Sequence, residues 1–182
     1  MAQTATMFTL DINLADMDRQ VYEGFTLKVA RHPSETPEYM LVRVLAYCLE
    51  FEEGIALTEG VSSGDEPAVV VRDLTGQITA WIEVGMPDAA RLHRGSKHAG
   101  RAAVYTHRDV RQLLAQLTGT RIHRAEAIPV RAFDQAMIKD AAAAVDRRAS
   151  LTISVSDGEV DLLVGDLPFH LVITEHRLQS AG

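Results

Sequence analysis

Cysteine is nearly absent from this sequence. With one thiol, Cys48, in 182 residues, the chain can form neither an intramolecular disulfide nor a thiolate-based zinc centre, so small secreted scaffolds and zinc ribbons are excluded. Long apolar runs are missing too. The longest stretches fall well short of the roughly 20 residues a membrane helix needs, and no basic-then-apolar leader precedes a cleavage site. These absences lead us to expect a soluble, cytoplasmic protein without membrane association. A net positive charge is also lacking: the formal charge is −7, which argues against nucleic-acid binding by bulk electrostatics. What is present, 47% hydrophobic and 24% charged residues, is the composition of a globular chain long enough to bury a core.

The acidic average conceals a segregation of charge. Between Asp88 and Arg124 stand Arg91, Arg94, Lys97, Arg101, Arg108, Arg111, Arg121 and Arg124 against only Asp88 and Asp109, a surplus of six positive charges. The remainder carries −13. Most of the basic residues are arginine, 15 of 18, whose planar fork of donors suits phosphate and carboxylate. A solvated arginine-rich surface is the alternative reading of this stretch.

Hydrophobic periodicity outlines the elements. Phe8, Leu10, Ile12 and Leu14 alternate with polar neighbours, and Phe25, Leu27 and Val29 repeat the pattern, predicting a pair of half-buried strands. Ser34-Glu35-Thr36-Pro37-Glu38 is a helix start, with capping hydroxyls, a proline for the first turn and acids near the positive end of the dipole. The helix that follows places Met40, Leu41, Val44, Leu45, Cys48 and Leu49 on one face, with Gly54 expected to end it. After a small-residue loop at Val61 to Gly64, Ala68 to Val71 and Ile78 to Val84 read as a hairpin around Leu74-Thr75-Gly76-Gln77.

A second helix to about His98, a strand over Ala102 to Thr106 and a third helix over Asp109 to Leu117 come next. A strand near Ala127 to Val130 and a helix from about Asp134 to Val145 follow. The tail, with Asp157-Gly158 and Gly165-Asp166 as turns, reads as a three-stranded meander whose last strand carries Phe169, Leu171 and Ile173. Sheet elements at both ends of an α/β middle predict one continuous domain over residues 1–182, of α/β (α+β) class.

Candidate chemistry sits in the middle. Asp65 and Glu66 precede one hairpin strand and Glu83 lies near the end of the other, so these carboxylates are positioned to converge at one sheet edge. Paired carboxylates there form the oxygen-rich arrangement that Mg²⁺ or Mn²⁺ prefers, with a phosphate as substrate. Alternation puts Trp81 and Glu83 on one strand face. The competing reading makes Asp65 and Glu66 loop acids and Glu83 a solvated strand residue. Along the next helix, Arg91, Arg94, His98 and Arg101 step by three, four and three, a candidate nucleic-acid-binding row, while Leu92, Gly95, Ala99 and Ala103 offer small groups for close packing on the sheet.

Taken together, the run Ala30-Arg31-His32-Pro33-Ser34-Glu35-Thr36, the helix containing Glu38 and Arg43, Asp65-Glu66-Pro67, and Trp81-Ile82-Glu83-Val84-Gly85 followed by Pro87-Asp88 resemble the YaeQ family of bacterial proteins over nearly the whole chain. The resemblance implies a variant of the PD-(D/E)XK, restriction-endonuclease-like fold: a mixed sheet flanked by helices, a nuclease-like core at about 34–130, and further strands from both termini. Carried onto this sequence, the first acid of that superfamily's motif falls on Asp65, with Glu66 as a close alternative, and the second on Glu83. Glu38 is a candidate third acid. The lysine expected two residues after the second acid is replaced by Gly85, so Lys97 or Arg94 from the following helix is the candidate substitute. Of these two only lysine can act as a base.

Two functions follow from this reading. One is an Mg²⁺- or Mn²⁺-dependent nuclease or phosphodiesterase, with Asp65 and Glu83 holding the metal and Lys97 or Arg94 stabilising phosphoryl charge. The other is a nuclease-like fold without catalysis, binding nucleic acid or an acidic protein through the basic segment. His32 is expected to fix the helix start, and Arg31 and Arg43 to partner Glu35 or Glu38.

Overall fold

The computed structural model describes residues 4–59 and 64–179. The first helix, α1 (Pro37–Leu49), follows the long antiparallel pair β1 (Thr6–Asp16) and β2 (Val21–Arg31). A short strand β3 (Ile55–Leu57), β4 (Val69–Arg72) and β5 (Ile78–Val84) lead to α2 (Ala89–His98), β6 (Arg101–Thr106) and α3 (Val110–Leu117). The chain closes with β7 (Pro129–Phe133), α4 (Gln135–Ala143), β8 (Arg148–Ser156), β9 (Glu159–Val164), β10 (Leu167–Leu171) and β11 (Ile173–Arg177).

These strands form two mixed sheets. One, built from both ends of the chain, runs β10-β9-β8-β1-β2, with β1 and β8 parallel. The other runs β11-β7-β6-β5-β4-β3, with β5 parallel to β6 and β6 parallel to β7. The expected α+β class, the hairpin, all four longer helices and the terminal meander are present. The loop expected at Val61 to Gly64 lies, apart from Gly64, outside the described residues.

Three expectations need correction. Helix α1 is not buried on one face alone: Met40 to Ala46 are all buried, Arg43 among them, because α1 is sandwiched between the two sheets. It also stops at Leu49, where the Glu50 N–H closes on the Ala46 carbonyl and the Phe51 N–H on that of Cys48, and Gly54 instead leads into β3, a strand that three residues are too few to announce. Finally, the run Phe169, Leu171, Ile173 is not one strand. It divides at Val172, with β10 pairing β9 in the terminal sheet and β11 crossing to pair β7 in the central one.

The layers account for the sequence pattern. Phe8, Leu10, Ile12 and Leu14 of β1 and Leu151, Ile153 and Val155 of β8 turn one face of the terminal sheet onto α1 and α4. Central strand β5 is buried on both faces: Ala80, Ile82 and Val84 pack toward α1, while Trp81 joins Leu92, Leu113 and Leu117 beneath α2 and α3. Each such aliphatic side chain contributes about 1.5–3 kcal/mol on burial. Thr36, Asp88, Asp109 and Asp134 cap the four helices with side-chain oxygens, each worth about 1 kcal/mol. No helix among the described residues is long and apolar enough to cross a membrane.

Candidate functional site

Strand β5 delivers Trp81 and Glu83 to the face covered by α2, as alternation predicts. Helix α2 lies unusually close to that face, because a Cβ at Gly95 would come within 2.4 Å of the Trp81 indole. Leu92 and Ala99 complete the buried side of the helix.

Glu83 is 3% exposed and engaged. Its Oε1 accepts from the Trp81 indole N–H at 2.8 Å and from Arg91 Nε at 3.1 Å. The rest of the Arg91 guanidinium reaches across to the loop before β4, donating to the Gly64 carbonyl at 3.0 Å and the Glu66 carbonyl at 2.7 Å. Arg94 adds a bond to the same Gly64 carbonyl at 3.3 Å. One arginine therefore ties the two acid-bearing segments together. Burial raises the Glu83 carboxyl above its ordinary value, and Arg91 and Trp81 oppose that shift.

The other candidate acids go elsewhere. Asp65 is exposed and lines a cleft of about 400 Å³ with Trp81, Arg94 and His98. Glu66 pairs with Arg72 at 2.8 Å. Glu38 lies beside His107, Arg108 and Lys139 in a separate hollow at the start of α1. Among the described residues, no three His, Cys, Asp or Glu side chains form a group able to hold a metal ion.

The candidate cations divide in the same way. Arg91 is held at Glu83, and Arg94 and His98 share the Asp65 cleft. Lys97 is exposed, one helical turn from His93, and does not line that cleft. Arg101 leaves the row altogether: α2 ends at His98, so Arg101 begins β6 and pairs with Glu50 and Glu52.

Gly85, where the motif would carry lysine, adopts φ +89°, and an added Cβ would meet the Tyr39 ring at 3.2 Å. The backbone at this position thus disfavours any side chain. Tyr39 is itself shaped by the neighbourhood: burial pushes its hydroxyl up to about 12, with Arg43 acting in the opposite direction.

Two features escape sequence reading. Arg43 and Glu35 form an ion pair of 2.6 Å in which both side chains are almost wholly buried; the pairing is expected, its depth is not. At the other end of α1, Glu50 accepts from Arg101, from the Tyr105 hydroxyl at 2.7 Å and from Arg131 at 3.0 Å, beside a cavity of about 450 Å³ between the sheets. Its members come from three places far apart in the chain, the end of α1, β6 and β7, so no local motif marks it. His32 behaves as expected, its Nδ1 lying 2.6 Å from Ser34 Oγ before the helix start.

Known proteins share this fold. The family described as YaeQ protein matches residues 1–172. The YaeQ protein of Escherichia coli (strain K12) is 31% identical over 161 residues, spanning 88% of this chain and 89% of that one, and its Salmonella typhi counterpart is 30% identical over the same shares. The crystal structure of YaeQ protein from Pseudomonas syringae superposes with a TM-score of 0.88 at 30% identity, covering 100% of both chains. That from Xanthomonas axonopodis pv. citri gives 0.86 at 28% identity, covering 97% of this chain and 100% of the other. The chain belongs to the YaeQ family.

Proposed function

We propose that this chain is a nucleic-acid-binding module on a restriction-endonuclease-like scaffold, one whose acidic motif has become an internal ion pair and which does not cleave what it binds. The observation that carries this reading is the position of Arg91. Its guanidinium supplies, between Glu83 and the Gly64 and Glu66 carbonyls, the positive charge that Mg²⁺ or Mn²⁺ would bring to a PD-(D/E)XK centre. The residues as arranged count against a divalent shell at Glu83: its Oε1 already accepts two donors, Glu66 is turned to Arg72, and a side chain at Gly85 would press on the Tyr39 ring.

The binding surface in this reading is the outer face of α2 and α3 with the segment after α3. Arg94, Lys97, Arg111, Arg121 and Arg124 are exposed there and enter no ion pair among the described residues. Phosphate contacts of this kind fix a backbone without reading bases, and their affinity falls as salt displaces them.

The test is fluorescence anisotropy with single- and double-stranded DNA and RNA across a salt series, in the presence and absence of Mn²⁺. The reading expects salt-sensitive binding, a log–log salt slope smaller by about one for each cation removed in Arg94→Ala and Lys97→Ala, and intact oligonucleotides. Absence of binding at low salt overturns it, as does metal-dependent cleavage that disappears in Glu83→Ala. Cleavage would instead support the metal-dependent phosphodiesterase, the alternative favoured by Asp65, Arg94 and His98 sharing one open cleft.

A further inference from the structure

A second polar hollow lies away from the α2–α3 face, where the end of β6 meets the starts of α1 and α4. Two adjoining cavities, of about 180 and 280 Å³, share Thr36, His107 and Arg108 as walls, and Lys139 of α4 closes the larger one. This is the carboxyl edge of parallel strands, the side on which open α/β sheets place ligands.

The hollow is built for negative charge. Arg108 is exposed, and neither it nor Lys139 forms an ion pair among the described residues. The positive end of the 13-residue α1, capped by Thr36, faces the same space. The acids in the walls are Glu38 and Glu35, and Glu35 is already bound to Arg43.

His107 supplies an independent sign of a ligand. The residue lines both cavities and is 95% buried, and its Nδ1, itself closed off from solvent, has no hydrogen-bond partner among the described residues. Buried ring nitrogens are ordinarily satisfied. Burial, followed by the charge of Arg108, lowers its pKa, with Glu38 opposing, so the ring is neutral near pH 7 and offers one donor and one acceptor.

We propose that this hollow binds a phosphate group, either orthophosphate or the phosphate of a small monoester, with Arg108 and Lys139 holding the charge and His107 giving a directed hydrogen bond. The site stands on residues separate from those assigned to nucleic-acid binding and holds whether or not that assignment does.

The experiment is titration of the full chain with inorganic phosphate and, in parallel, ribose 5-phosphate against ribose. Calorimetry supplies the affinity, and ¹⁵N–¹H spectra of the histidine rings report the contact. Saturating phosphate is expected to move the His107 ring signals, and Arg108→Ala with Lys139→Ala to weaken binding about tenfold or more, while Lys28→Ala, at an exposed cation on the edge strand β2, leaves it unchanged. Tighter binding of ribose 5-phosphate assigns the site to a monoester, and equal binding assigns it to orthophosphate. Unmoved His107 signals at saturation, or a double variant that binds as tightly as the wild type, would overturn the proposal; both substituted side chains lie outside the core, and circular dichroism checks that the variants fold.

Discussion

Arg91 and Trp81 donate to the same oxygen of Glu83, one from the helix above and one from two residues back on the strand, so a carboxylate almost wholly out of water has two donors at a single atom. Its burial nevertheless dominates, and the carboxyl is raised above its ordinary value near 4.5. The folded state therefore holds this proton more tightly than the unfolded chain does.

A pH prediction follows from that sign. The contribution of Glu83 to stability is fully present below its ordinary value and is lost as pH rises through the raised one. Glu83→Gln keeps an acceptor for Trp81 and removes the titration. The thermal midpoint of the wild type should fall relative to that of Glu83→Gln as pH increases from about 4.5 toward neutrality. A gap that stays constant shows that the Arg91 pair balances desolvation, and one that moves in favour of the wild type shows that it outweighs it.

Restoring the motif lysine should do harm. Gly85→Lys forces a side chain into the left-handed region and against the Tyr39 ring, at a cost of about 1–3 kcal/mol. Gly85→Asn, whose residue type tolerates that backbone better, should cost less. Urea unfolding of the two variants measures the difference, and a lysine variant as stable as the wild type would show that Tyr39 yields freely.

The Arg43–Glu35 pair lies between the sheets with side chains 1% and 0% exposed. Arg43→Met retains much of the volume and leaves the Glu35 carboxylate without its guanidinium, which should destabilise the fold by about 3–5 kcal/mol. Adding Glu35→Gln should recover part of that loss. Equal stability of the single and double variants in chemical denaturation would mean that the loss arises from packing rather than from stranded charge.

Much of the fold was legible because periodicity reports burial directly. The alternation of Phe8 to Leu14, the capped start at Thr36 and the hairpin around Gly76 each encode a local rule that the fold obeys. Periodicity says nothing about partners. Phe169, Leu171 and Ile173 keep a period of two straight through the point where the chain changes sheets, and Met40 to Ala46 reveal only in three dimensions that α1 has sheets on both sides. The same limit applies to the site. Spacing placed Trp81 and Glu83 on one face, and the structure does so. It could not show that Arg91 would bridge Glu83 to the Gly64 loop, that Arg101 would turn to Glu50, or that His107 would be buried with a bare nitrogen, since each depends on residues brought together by crossovers.

The parallel pairing of β1 with β8 has a consequence for how the protein is made. Thr9 finds its parallel neighbour only at Arg148, so during synthesis the β1–β2 ribbon leaves the ribosome with its β1 edge open and waits on the order of ten seconds for the strand that covers it. Closing so distant a contact costs chain entropy before any stabilising contact forms, which makes completion of the terminal sheet a late and slow event. Until then the bare edge of β1, which carries Phe8, Leu10 and Ile12, is a template on which another chain can pair.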